Sequence, residues 1–232
     1  MIGRWKMPKV SICIPIYQGM GNSWQLLKRN LDSIIKQTFK NYEIVISDDS
    51  TDEYLSNLVL NYVSQYPIFC HYSQNRGEKG MAQNINYAID KANGELVKIL
   101  FQDDFFYSQD SLDDIIRHFT YQTTWLVTGC THFMDGLYFN PHEPYFSESE
   151  NTIGSPSVLT FRRTADIKFD PQFRWVLDLD LYKQFFRKYG SPKILKKINV
   201  VIGIHEGQTT YNLSDEFKIE EHRRLKEKYE KG

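Results

Sequence analysis

Four short apolar runs in the first half of this chain each give way to a stretch with helical spacing, and that alternation leaves few folds open. VSICIPIY, from Val10 to Tyr17, is β-rich and stops at a turn before NSWQLLKRNLDSIIKQTF, whose apolar positions recur at helical spacing. YEIVISDDS repeats the plan and TDEYLSNLVLNYVSQY follows it; IFCHYSQN leads into KGMAQNINYAIDKAN, closed by Gly94; ELVKILFQDD reads as a fourth strand. Strands alternating with helices predict a parallel, doubly wound α/β sheet with right-handed crossovers.

After about residue 120 the rhythm changes. WLVTGCTHFMDGLYF reads as a strand pair or hairpin, NPHEPYFSESENTIGSPS as irregular chain, VLTFRR as a strand and LDLDLYKQFFRKYG as a helix ending at Gly190. The tail SDEFKIEEHRRLKEKYEKG carries Ser214 as a cap, acids first and bases later, the charge order a helix dipole favours; its charges read as a solvated face. With no internal repeat and no low-complexity linker, the second half is expected to build onto the first sheet, giving one domain over 1–232.

Two of the strands end in paired acids, SDDS at 47–50 and QDD at 102–104. In LFQDDFF, Asp103 and Asp104 are wedged between Phe101 and Phe105. Two adjacent carboxylates in an apolar setting persist only if solvated, hydrogen-bonded or neutralised by a cation. The bland alternative is a helix start, with Ser108 or Asp110 capping SLDDIIRHF; it accounts for Asp110, Asp113 and Asp114 but not for acids several residues earlier. Carboxyl ends of strands are where open α/β sheets bind ligands. A nucleotide offers a base and ribose that bond to carboxylates, and a diphosphate that tolerates them through a divalent cation, so hard oxygen ligands here suit Mg²⁺ or Mn²⁺.

Bulk charge excludes some partners. Lys plus Arg number 28 against 29 Asp plus Glu, so nothing favours nucleic acid as a general partner. Cys13, Cys70 and Cys130 are odd in number and without a CxxC pair, which argues against a disulfide framework and a zinc site and for a reducing compartment. No run approaches the roughly 20 apolar residues of a membrane span, so the expectation is a cytoplasmic protein without a transmembrane segment; a homo-oligomer stays open. GMGNSW, 19–24, imitates a dinucleotide fingerprint, but the third glycine falls at Trp24, which would block close helix packing. PIYQGMGN is likewise a poor match for the Gly-rich, lysine-containing loop of a nucleotidyltransferase.

PKVSICIPIY, NLDSIIKQTFKNYEIVISDDSTD and NRGEKGMAQNINYAIDKANGELVKILFQDD, in that order over about the first 105 residues, resemble the family 2 glycosyltransferases of GT-A fold. The resemblance implies a nucleotide-sugar-binding half over about 8–105, an acceptor-side half over about 106–213 and a C-terminal helix over 214–232. It implies an inverting transferase taking a nucleoside-diphosphate sugar, UDP by family habit, a divalent metal, and a glycan, lipid-linked or protein-linked acceptor. Residue by residue, Pro15 and Tyr17 match the first-strand loop against the base, Asp49 the acid contacting the base, Asp103 the ribose-facing acid and Asp104 the metal ligand of the DxD motif. Asn75 and Asn84 belong to the N-x-G-x-x-x-x-A-x-N block, which the resemblance implies binds the nucleotide sugar. The chain departs from the family at Phe101, where an aspartate is usual, and at Gln83, where many members have arginine; Lys79 or Arg76 can compensate near the diphosphate. In the looser second half, Asp178 takes the place of the catalytic base, and Asp180, two residues on along a helix, must point elsewhere. His205, in VVIGIHEGQTT, falls where the family often carries histidine near metal and phosphates. The rivals are a module that holds a nucleotide sugar without transferring it, and a sugar nucleotidyltransferase.

Overall fold

The computed structural model describes residues 9–19, 22–208 and 212–230; Met20 and Gly21 of the GMGNSW motif lie outside them. The alternation read from the sequence is present as β1 (Val10–Ile16), α1 (Ser23–Ile35), β2 (Tyr42–Asp48), α2 (Tyr54–Val63), β3 (Cys70–Gln74), α3 (Met81–Lys91) and β4 (Leu96–Ile99). These strands run parallel in the order β3-β2-β1-β4. Every residue of β1, β2 and β4 is buried, as expected of parallel strands covered on both faces, whereas the edge strand β3 is half-buried throughout.

β1 is the switch point of this half: the chain moves to one side of it for β2 and β3, then crosses to the other for β4. Pairing between β1 and β4 ends at Cys13 and Ile99, after which Leu100 N–H still bonds to Cys13 O at 3.0 Å. On the other side, Asp49 N–H bonds to Ile16 O at 3.0 Å and Asn75 N–H to Asp48 O at 2.7 Å. Both acid pairs therefore emerge at the same carboxyl edge, where a crevice opens at a switch point. Pro15 lies beyond the last β1–β4 pair, so its missing N–H removes no bond from that ladder.

The second half adds β5 (Phe105–Phe106), α4 (Ser111–Arg117), β6 (Trp125–Met134), β7 (Leu137–His142), β8 (Leu159–Arg162), α5 (Leu177–Tyr189), β9 (Lys193–Gly203) and α6 (Asp215–Glu230). β8 pairs antiparallel with β4 and with β6, so both halves share one nine-stranded sheet among the described residues. Parallel pairing dominates only the first half: the second is antiparallel except where β6 runs beside β9. The expected hairpin is β6–β7, closed by Asp135 and Gly136 at φ +50° and +87°, the two positive values a tight twisted turn requires. β7 also takes in Asn140, Pro141 and His142, which the sequence assigns to irregular chain.

Two expectations about charge are corrected. Asp110 stands at the N-cap of α4, but its side chain makes no capping hydrogen bond; its carboxylate accepts from Thr38 Oγ1 at 2.9 Å, and Ser111 Oγ accepts from Ser108 N–H at 3.0 Å. The charges of α6 are not all solvated. Ser214 Oγ caps the helix as expected, accepting from Phe217 N–H at 3.3 Å, but Glu221 is buried and accepts from the backbone N–H groups of Arg174, Trp175 and Val176 at the entry to α5. A carboxylate there satisfies the buried backbone donors of the segment entering α5 and sits at the positive end of the helix. Lys228 of α6 bonds to Asp180 at 2.6 Å, and Tyr229 hydroxyl and Gln184 amide bond to the same fully buried carboxylate. Asp180 thus faces α6 while Asp178 faces away, as the two-residue spacing requires.

Candidate active site

The turn carrying Asp103 and Asp104 is held from below by α1. Asn30 donates its amide to Phe101 O and to Asp104 O, each at 2.8 Å, and Arg29 donates to Asp103 O at 2.9 Å while its guanidinium stacks over Phe105 and Phe133. Gln102, buried between the two acids and β4, accepts from Tyr17 N–H at 2.8 Å and donates to Ser23 O at 2.9 Å. The loop after β1 and the acid turn after β4 are thereby one unit.

Adjacent in sequence, the two acids face different ways. Asp103 Oδ2 meets His205 Nε2 at 3.1 Å. Asp104 points inward: Oδ1 accepts from Gly203 N–H at 2.9 Å, Oδ2 from Ser155 Oγ at 3.3 Å, and only 2% of the residue is exposed. Burial, and then the negative charge of Asp103, push the Asp104 carboxyl well above the usual carboxylate range, against hydrogen bonds from Ser157, Gly203 and Ser155. Lys98, fully buried on β4, donates to the backbone carbonyls of Ser157 and Leu159; burial pushes its pKa down to about 7, opposed by the charge of Asp104. β9 reaches the acids only because position 203 is glycine: a Cβ there would lie 2.3 Å from Asp103 O.

On the nucleotide side, Asp49 Oδ1 accepts from Asn75 Nδ2 at 2.7 Å and Oδ2 from Gly80 N–H at 2.8 Å, with Lys79 Nζ 3.9 Å away. Asn75 also donates to Glu78 O and accepts from Gly77 N–H, so it shapes the 75–80 loop around Asp49. Tyr17 stands at the mouth with half its surface exposed, and Pro15 is buried in β1. Asn84 departs from its expected role. Its Oδ1 accepts from Ser47 Oγ and its Nδ2 donates to Ile16 O at 3.0 Å, so this buried side chain braces α3 against β1 and β2, with both polar atoms engaged.

Asp178 opens α5 at the far end of the site. Its Oδ2 accepts from Asn151 Nδ2 at 2.6 Å and its Oδ1 from Leu179 N–H at 2.8 Å. Burial pushes its carboxyl up to about 7 despite these hydrogen bonds. Between Asp178 and the acid turn lies a cleft of about 190 Å³, bordered by Asn151, Ser155 and Ile202 and by His132, Asn140 and His142 of the hairpin. Asn151 ties one end of the cleft to Asp178 and Ser155 ties the other to Asp104.

The sequence-predicted residues thus fall into three clusters: Asp49, Asn75 and Lys79 at the first acid pair, Asp103 with His205 at the second, whose turn also holds Tyr17 through Gln102, and Asp178 at the Asn151 end of the cleft. Sequence reasoning misses Arg29, Asn30, Gln102, Asn151, Ser155 and Gly203. Asn30 leaves a signal, a polar residue on the apolar stripe of Leu27, Leu31 and Ile34. Asn151 and Ser155 leave none, being ordinary loop residues made important by long-range contact.

A parallel 3-2-1-4 half continued by a mixed half, with acids at the shared carboxyl edge, defines a GT-A fold. The chain belongs to the family described as glycosyl transferase family 2, whose model matches residues 11–186. It is 28% identical to an uncharacterized glycosyltransferase of Rickettsia typhi, in an alignment covering 88% of this chain and 66% of that protein, so it spans just under two-thirds of that relative. Among solved structures it is similar to S. aureus TarS in complex with UDP-GlcNAc, at TM-score 0.69 and 22% identity, covering 89% of this chain and 61% of the other. It is also similar to a mannosyltransferase of Pyrobaculum calidifontis in complex with GDP-Man and Mn2+, at TM-score 0.61 and 17% identity, covering 85% and 57%. No helix among the described residues is long and apolar enough to cross a membrane.

Proposed function

We propose that this chain transfers a sugar from a nucleoside-diphosphate sugar, UDP favoured, to a hydroxyl of a glycan, lipid-linked or protein-linked acceptor, with inversion at the anomeric carbon. The observation that carries this reading is a single cleft bordered at one end by Asn151, which bonds to Asp178, and at the other by Ser155, which bonds to Asp104 of the acid turn. Asp49, Asn75 and Tyr17 hold base and ribose, and Lys79 brings positive charge toward the diphosphate.

Asp103 and His205 offer one carboxylate and one imidazole, and no group of three or more His, Cys, Asp or Glu side chains among the described residues could hold a metal alone. That donor set fits Mn²⁺ or Mg²⁺ bound through one or two protein groups with phosphate and water oxygens completing the shell. The ligand role is proposed for Asp103 with His205, which face each other at the site, rather than for the inward-turned Asp104 that the resemblance implies. When bound, such an ion supplies positive charge against the leaving diphosphate.

Asp178 accepts the proton of the acceptor hydroxyl as its oxygen forms a bond to the anomeric carbon and the bond to the diphosphate oxygen breaks. Asn151 and Leu179 N–H fix the carboxylate in one orientation for that transfer. Attack from the face opposite the diphosphate gives inversion. The test is a thermal-shift panel of UDP, GDP, TDP and their sugars with and without Mn²⁺, followed by turnover of Asp178→Asn. Metal-dependent stabilisation by one nucleotide, with turnover lost but nucleotide binding kept in the variant, supports the reading; an active Asp178→Asn removes Asp178 from the base role.

A further inference from the structure

The cleft between Ser155 and Asn151 carries polar groups that neither the base nor the acid turn uses. His132 Nδ1 lies 3.0 Å from Asn140 O, and His142 Nε2 lies 2.9 Å from Thr152 O. A carbonyl oxygen only accepts, so each bonded ring nitrogen carries the proton and the other nitrogen of the neutral ring keeps its lone pair. Neither ring, nor the side-chain amide of Asn140, makes a further hydrogen bond among the described residues. The hairpin wall thus offers two acceptors and one amide to whatever enters.

That set of groups selects a chemistry. A carboxylate or phosphate would meet two lone pairs and be repelled, and an apolar group would strand them. Hydroxyl groups donate to both rings and accept from the amide. At about 190 Å³ the cleft is smaller than the roughly 300–1,000 Å³ of pockets that hold drug-sized ligands, so it suits a single ring.

We propose that His132 and His142, with Asn140, form a subsite that binds the hydroxyls of one neutral sugar ring, using backbone-fixed imidazoles as acceptors. This rests on the proposed transferase reading, because a ring between Ser155 and Asn151 would sit between the acid turn and Asp178. The ring belongs either to the donor or to the terminal unit of the acceptor, and the same variants separate the two.

The experiment measures UDP and UDP-GlcNAc binding by calorimetry with Mn²⁺, and the KM for p-nitrophenyl hexoside acceptors, for wild type, His132→Phe, His142→Phe and the matching glutamine variants. Phenylalanine keeps a planar ring without the acceptor nitrogen; glutamine can donate to the backbone carbonyl and still accept from a hydroxyl, and it guards against a mere folding defect. Unchanged UDP affinity with UDP-GlcNAc binding weakened roughly 3- to 10-fold per phenylalanine, and restored by glutamine, assigns the ring to the donor. Unchanged binding of both with a comparable rise in acceptor KM assigns it to the acceptor. Folded phenylalanine variants with neither change overturn the subsite while leaving the transferase reading standing. Failure of wild type to bind any nucleotide overturns that reading and the subsite with it.

Discussion

Asn151 donates its side-chain amide to Asp178 Oδ2 at 2.6 Å, and the same amide group accepts from Gly154 N–H at 2.9 Å, so the loop that borders the cleft also sets the orientation of the carboxylate. A hydrogen bond to the ionised form lowers a carboxyl pKa, and here it works against burial that pushes Asp178 up to about 7. With Asp178 as base, kcat rises with pH through that value because only the ionised form accepts a proton. Asn151→Ala removes a stabiliser of the ionised form, so the acid limb moves upward by roughly one unit while turnover on the alkaline plateau falls less. A pH–rate profile checks this; an acid limb that stays in place separates Asn151 from the base.

Asp103 and Asp104 separate by what each loss does to the protein. Asp103→Ala removes a carboxylate that faces His205 at the site, and it is expected to abolish Mn²⁺-dependent nucleotide stabilisation with little change in Tm. Asp104→Ala strands the Gly203 N–H and removes the carboxylate whose charge favours protonated Lys98, costing on the order of 1–3 kcal/mol. Paired melting curves with and without nucleotide and metal decide it. The reverse pattern returns the ligand role to Asp104.

The parts of this site legible in the sequence are those set by local pattern. Apolar runs ending in SDDS and QDD put both acid pairs at one edge because strand, burial and sheet order follow from periodicity. The division of labour within QDD is not legible there: which acid turns inward depends on Gly203 and Ser155, some 100 and 51 residues away in sequence. Asn84 misleads for a related reason. Its place in the Asn-x-Gly block is local, but Ser47 and Ile16, which engage both its polar atoms, are brought by neighbouring strands. Glu221 likewise reads as one acid in a charged helix until the entry to α5 packs against it.

Gly203 is expected to be intolerant of the smallest substitution. Its φ is not left-handed, so the constraint is space alone: an added methyl would meet Asp103 O at 2.3 Å and Arg29 Nη2 at 2.9 Å. The backbone carbonyl cannot yield without moving the acid turn that Asn30 pins. Gly203→Ala should cost about 1–3 kcal/mol and abolish metal-dependent nucleotide binding, read by thermal shift. Full binding by this variant would show that β9 can retreat without disturbing Asp103.

Lys98 should leave a signature in the pH dependence of stability. Its folded pKa is lowered to about 7 from 10.5, so between those values the unfolded chain binds more protons and stability rises with pH. Below about pH 7 both states are charged and the folded one carries the cost of a buried ammonium, only partly offset by Asp104 and the carbonyls of Ser157 and Leu159. Lys98→Met keeps the aliphatic volume and removes the titration. The difference in unfolding free energy between wild type and variant is therefore expected to shift in favour of wild type from pH 6 to pH 9, by on the order of a few kcal/mol. Restricting the scan to that window and comparing the two proteins cancels the titrations that do not feel the charge of Lys98; that of Cys130 does feel it. Denaturant melts at each pH supply the measurement. A difference that stays flat across the window would mean that Lys98 is as readily protonated in the folded protein as in the unfolded chain.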